Sequence, residues 1–187
     1  MLSANHSENQ VVAMLSQQLA LECGYSPQMA RCISIAAELH DVGKTRIDKR
    51  IVNKAGSLTS AEFEEMKLHT IHGFDILSRG HSVCAGAIEM GMGAMSISNE
   101  VRQMAALTAL MHHERADGQG YWGIKGSSLP LFVSIVSICD VYCALITKRV
   151  YKEAWSPQEA LAHINKLAGS QFCPALVCGF TKMIENV

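Results

Sequence analysis

His40-Asp41-Val42-Gly43-Lys44 closes one helical stretch of this 187-residue chain and sets an imidazole beside a carboxylate. Outward from it the same chemistry recurs: His6 upstream, then His69, His112-His113 and Asp140. Imidazole and carboxylate are the usual ligands of catalytic zinc, iron or manganese. These seven side chains are too many for one metal and suit two that share a carboxylate. Two metals roughly 3.5–4 Å apart are a standard device for cleaving phosphate esters. The pattern points to binuclear phosphohydrolase chemistry.

The candidates fall on five predicted helices, mostly near their ends, which is how a bundle builds a metal site from facing helices. On a regular helix His40 and Asp41 diverge by about 100°. At a helix end they can converge, with Asp41 offering two oxygens to two metals. Asp140 lies in the apolar run Leu131 to Leu145. A lone carboxylate there is costly unless it holds a metal or meets a buried Arg or Lys. His72, three residues after His69 on the same helical face, is an alternative ligand to it. His6 also reads as a solvated residue near a frayed terminus. His81 and His163 read as surface or loop residues.

Composition narrows the class. The chain is 49% hydrophobic and 18% charged with net charge −1, so one domain with a real core is expected and no DNA- or RNA-coating surface. A phosphate substrate would be held by local cations and metals. No apolar run is long enough to span a bilayer, and no membrane association or signal peptide is expected. The seven Cys show no CxxC pair and read as reduced thiols of a cytoplasmic protein. Cys32, Cys139 and Cys143 sit on apolar faces and read as core.

Helical periodicity runs almost throughout. Val11, Val12, Leu15 and Leu19 stripe the first helix, and Ser26-Pro27 opens a second that ends near His40 and is stopped by Gly43. Residues 44–58 read as loop. Thr59 and Glu62 form a capping box for a third helix to about Leu77. Residues 79–98 are Gly- and Met-rich, and either helix or lid fits them. Asn99 reads as the cap of a fourth helix to about Glu114. Gly118, Gly120, Gly123 and Gly126 mark an irregular loop. Pro130 opens a long helix to about Thr147, Ser156-Pro157 with Glu159 caps another, and Cys173-Pro174 starts the last. The expectation is an all-α bundle of about six to eight helices.

The segment His40-Asp41-Val42-Gly43-Lys44 resembles the HD phosphohydrolase signature. His112-His113-Glu114-Arg115 followed by Asp117-Gly118-Gln119-Gly120-Tyr121 resembles the HD-GYP subfamily of cyclic dinucleotide phosphodiesterases. Residues 53–59, 66–69, 139–145 and 149–152 continue the similarity, in order, over nearly the whole chain. The resemblance implies an all-α HD domain over residues 1–187, with an insertion around residues 80–98. It implies a centre of two divalent ions, iron or manganese first, then nickel, cobalt or zinc. The implied reaction is hydrolysis of cyclic di-GMP, or a mixed GMP–AMP ring, to the linear dinucleotide and onward to GMP. In that frame His6, His40, Asp41 and Asp140 hold one metal. Asp41 bridges, and His69, His112 and His113 complete the second. Lys44 approaches a non-bridging phosphate oxygen, Gly120 and Tyr121 lie in the loop beside the substrate, and Arg149 and Lys152 contact guanine or phosphate.

The chain departs from this pattern at Trp122, where the resemblance leads one to expect proline. Leu2 stands where a glutamate would add a third metal, and Cys173 where an Asp is usual. Trp122 reads either as a stacking face for guanine or as packing beneath the loop. Arg149 and Lys152 read otherwise as a solvated basic patch. The rival functions are a catalytically weak or inactive module that binds the dinucleotide or a protein partner, a homodimer included, and another HD phosphohydrolase acting on nucleoside phosphates. The loop from Gly118 to Gly126, additional to the bare HD pattern, argues against the last.

Overall fold

Local capping starts most of the helices. Ser7 and Gln10 cap α1 (Glu8–Glu22) reciprocally. Ser26 accepts from the Met29 N–H, with Pro27 opening α2 (Pro27–Glu38). Thr59 and Glu62 make the expected capping box of α4 (Ser60–Ser78), and Ser156 with Glu159 makes that of α7 (Pro157–Lys166). Each cap satisfies N–H groups that the first helical turn leaves without partners. The structure is a computed structural model and describes residues 7–79, 98–148 and 153–186. His6, Arg149, Lys152, His81 and residues 80–97 of the expected insertion lie outside the described residues.

The remaining α-helices among the described residues are α3 (Lys49–Val52), α5 (Asn99–Met111), α6 (Leu131–Ile146) and α8 (Pro174–Glu185). The protein is all-α, as the periodicity predicts. Three details differ from the sequence reading. The stretch read as loop carries a 3₁₀ turn, Val42–Arg46, and the one-turn α3, capped by Asp48. Both are too short to show an apolar period. Ser98, not Asn99, caps α5 by accepting from the Val101 N–H. α5 stops at Met111 rather than near Glu114, so His113 and Glu114 follow the helix and turn toward other partners.

Two apolar clusters frame the centre. The larger gathers Leu15 and Leu19 of α1, Ile33 of α2, Ile135 and Ile138 of α6, Ile164 of α7 and Phe180 of α8. The smaller joins Ala36 and Leu39 at the end of α2, Val42, Ile76 and Leu77 of α4, and Ala105, Ala106 and Ala109 of α5. Its small residues allow a close approach. A Cβ on Gly43 would collide with the His69 carbonyl oxygen and the Gly73 nitrogen. One on Gly73 would lie 2.9 Å from the Ala109 Cβ. These contacts bring the 3₁₀ turn, α4 and α5 together where they carry Asp41, His69 and His112.

Candidate metal centre

Three histidines are aimed by the backbone of their own helices. His40 follows the last turn of α2, and its Nδ1 lies 2.5 Å from the Ala37 carbonyl oxygen. His69, within α4, sets Nδ1 2.6 Å from the Met66 oxygen. His112, at the end of α5, sets Nδ1 3.0 Å from the Ala109 oxygen and 3.1 Å from that of Thr108. A carbonyl only accepts, so each Nδ1 donates its proton there and Nε2 is the atom turned inward, a lone pair wherever the ring is neutral. This is the arrangement by which outer partners fix the tautomer of metal-ligating histidine.

The inward atoms converge. His69 Nε2 lies 3.4 Å from His112 Nε2. Asp41 stands between the two halves: Oδ2 is 3.4 Å from His40 Nε2, and Oδ1 is 3.4 Å from His69 Nε2 and 3.8 Å from His112 Nε2. Asp140 Oδ1 is 3.6 Å from His40 Nε2. The partner that makes this carboxylate tolerable in an apolar helix is thus a histidine, not an Arg or Lys. Ligand atoms from His69, His112 and His113 lie within 4.8 Å of one another, and so do those from His40, His112 and Asp140. His72 belongs to neither group, so of the two alternatives on α4 the structure brings His69 to the cluster. His163 lies apart, edge-on to Trp155 at 5.3 Å between ring centroids.

The electrostatics suit a cation. Burial opposes charge on His40, but the Asp41 and Asp140 carboxylates outweigh it and hold this imidazole up to about 10. Burial would raise Asp41, yet His40 and Lys44 keep it well below the usual carboxylate range. Asp140 is lowered against its own burial, chiefly by His40. Burial lowers His69, only partly offset by Asp41. Burial and then His113 push His112 well down, and burial and then His69 push His113 to about 3. These three rings are neutral near pH 7 and ready as ligands. His40 Nε2 and Asp41 Oδ1 are buried and reach no hydrogen-bond partner. Buried polar atoms left facing one another are what a bound divalent ion would satisfy, and the donor set of imidazole and carboxylate fits iron, manganese or zinc.

Lys44 sits at the edge of the cluster with Nζ 2.5 Å from Asp41 Oδ2. A cleft of about 300 Å³ opens beside His112 and His113, lined among others by Lys67, Arg115, Gly120 and Tyr121. The Tyr121 ring lies 4.4 Å from that of His113, tilted by 31°.

Glu114 carries no role in the sequence reading of the motif. It is 3% exposed, and its carboxylate accepts the N–H groups of Trp122 at 2.7 Å and Ile124 at 2.8 Å. The glycine-rich loop is therefore folded around it. A Cβ on Gly120 would lie 2.5 Å from the Glu114 Cα, so this position needs glycine for the close approach. The available signal is an acid directly after two histidines and ahead of a loop rich in N–H donors. Of the thiols read as core, Cys139 and Cys143 are buried and Cys32 is half-buried. Among the described residues no helix is long and apolar enough to cross a membrane.

The HD domain model matches residues 2–176. The chain is 37% identical over 183 residues to a cyclic di-GMP phosphodiesterase of Thermotoga maritima, covering 97% of this chain and 45% of that protein. It is 38% identical over 168 residues to a cyclic di-GMP phosphodiesterase response regulator of Xanthomonas campestris, covering 89% of this chain and 39% of that protein. It thus spans less than half the length of either curated relative. The fold is shared with an HDG"Y"P protein of Bdellovibrio bacteriovorus at a TM-score of 0.68 and 17% identity, over 95% of this chain and 51% of that one. With the family model matched from one end of the helical frame nearly to the other, the chain belongs to the HD domain family.

Proposed function

We propose that this domain hydrolyses a cyclic dinucleotide, cyclic di-GMP first, to the linear 5′-phosphorylated dinucleotide and onward to GMP, with two divalent ions of iron or manganese. The observation that carries the reading is the convergence of backbone-aimed Nε2 atoms on Asp41 and Asp140 beside an open cleft. His40, Asp41 and Asp140, with His6, would hold one ion. His69, His112 and His113 would hold the other, with Asp41 shared. Ions so held would supply hydroxide near neutral pH and neutralise charge on the scissile phosphate.

The chain's own groups do the rest. Asp41 turns one oxygen toward each half of the cluster and so sets their spacing. Lys44 places a positive charge at the cluster edge, where negative charge grows on the phosphate oxygens. Gly120, Tyr121 and Trp122 form the loop beside the cleft, and Arg149 and Lys152 would meet guanine or phosphate. We take residues 1–187 as one such domain, with an insertion around residues 80–98, acting in the cytoplasm. Incubation with cyclic di-GMP under Mn(II) or Fe(II), followed by chromatography, should show the linear dinucleotide first. Tight binding without turnover would instead indicate a dinucleotide-binding module.

A further inference from the structure

The loop beside the metal cluster is fastened through Trp122, and it is fastened twice. The backbone N–H of Trp122 donates to Glu114 Oε1 at 2.7 Å. The indole Nε1–H donates to Thr70 Oγ1 at 3.0 Å. Thr70 is fully buried in α4 and directly follows His69. Lys67, one turn earlier on α4, sets Nζ 5.1 Å from the centre of the indole ring, within range of a cation–π contact. The residue before Trp122 is Tyr121, whose ring lies against His113.

We propose that Trp122 is a positioning residue: its two N–H groups tie the glycine-rich loop to Glu114 and to the helix that carries His69, and so hold Tyr121 over His113 at the mouth of the cleft. A proline here would fix φ through its ring but would have no N–H to give Glu114 and no indole to reach Thr70. The loop is restrained here by two hydrogen bonds and a cation–π contact. Lys67 stands over the indole, and Trp122 as a whole is 39% exposed. It lies along α4 and is not buried beneath the loop. The consequence for turnover rests on the phosphodiesterase reading above, whereas the anchor itself does not.

The test has two arms. In Trp155→Phe protein Trp122 is the sole tryptophan, and its time-resolved anisotropy should decay only with whole-molecule tumbling. Thr70→Val in that background should add a fast component. In the kinetic arm, Trp122→Phe and Thr70→Val should each raise KM for cyclic di-GMP roughly fivefold, the loss of one net hydrogen bond, with kcat and metal content changed less. Both break the indole–Thr70 bond, and Thr70→Val also gives up the hydroxyl's bond to the Lys67 carbonyl oxygen, so the double variant should be no worse than Thr70→Val alone. A fast component already present with Thr70 intact, or additive effects of the two substitutions, would overturn the proposal. Slow anisotropy that Thr70→Val releases, in protein that never turns over cyclic di-GMP, would uphold the anchor and remove the phosphodiesterase reading.

Discussion

The ligand-bearing helices and the glycine-rich loop lie side by side and are held by opposite means. His40, His69 and His112 are each aimed by carbonyl oxygens three or four residues earlier in their own helices. That device is local, repeated and backed by buried packing. The loop from Gly118 to Ile124 has only a short turn of its own at its start, where the Gly118 N–H donates to the Arg115 carbonyl oxygen and the Gln119 N–H to Asp117 Oδ1, and no such frame beyond it. Its order comes from Glu114, which accepts two of its N–H groups, and from the indole of Trp122 on Thr70. Chemistry that needs fixed donors sits on helices, and the surface that must admit a substrate sits on a segment held by a few removable bonds.

The comparison breaks most completely at Asp41. Asp41→Ala removes the side chain that, among the described residues, turns an oxygen toward each half of the cluster, so both ions should be lost and turnover abolished, with the loop still ordered. Elemental analysis together with the Trp122 fluorescence described above checks this; metal retained at the wild-type level would refute the shared role.

Gly43→Ala acts on the same region through packing alone. The added methyl meets the His69 carbonyl and the Gly73 nitrogen, both backbone atoms that cannot step aside. A destabilisation of about 1–3 kcal/mol or more is expected, seen as a drop in Tm of several degrees and as weaker metal retention on dialysis. An unchanged Tm would mean that the turn is not pressed onto α4 as described.

Glu114→Ala tests the other region. It leaves the Trp122 and Ile124 N–H groups without their acceptor, a loss of about 1.5–3 kcal/mol for bonds to a charged group. Metal content should stay near wild type while KM for the dinucleotide rises. Equal loss of metal would show that the loop and the cluster are one unit.

The smallest effect should come from Gly118→Ala. Gly118 has φ +77°, in the left-handed region, and a side chain there costs about 1 kcal/mol. A Tm lower by about 2–4 °C, with metal content intact, would confine the strain to the loop.

Much of the helix-borne region could be read in the sequence, because residue type and helical period are local properties. Val12, Leu15 and Leu19 are core as their spacing predicts. His40, Asp41, His69, His112, His113 and Asp140, spaced far apart in the sequence, lie together in the structure. What was not legible was how they are brought together. Gly43 reads as a helix stop, yet it is also a contact point where a turn presses on α4, and a contact between distant segments leaves no periodic trace. The loop was recognised from its glycines, but its hub was not. Glu114 looks like one more polar residue after two histidines until the chain folds back and gives it N–H donors eight and ten residues ahead. Trp122 was weighed as a stacking face or as packing beneath the loop. Its bond to Thr70, 52 residues away, is legible in neither reading.

The central claim, a cluster built for two ions that share Asp41, is tested most directly by elemental analysis of protein purified anaerobically without chelator. The account predicts about two divalent ions per chain, as the two donor groups flanking one carboxylate require. A consistent value near zero, in folded protein supplied with Mn(II) or Fe(II), would contradict it.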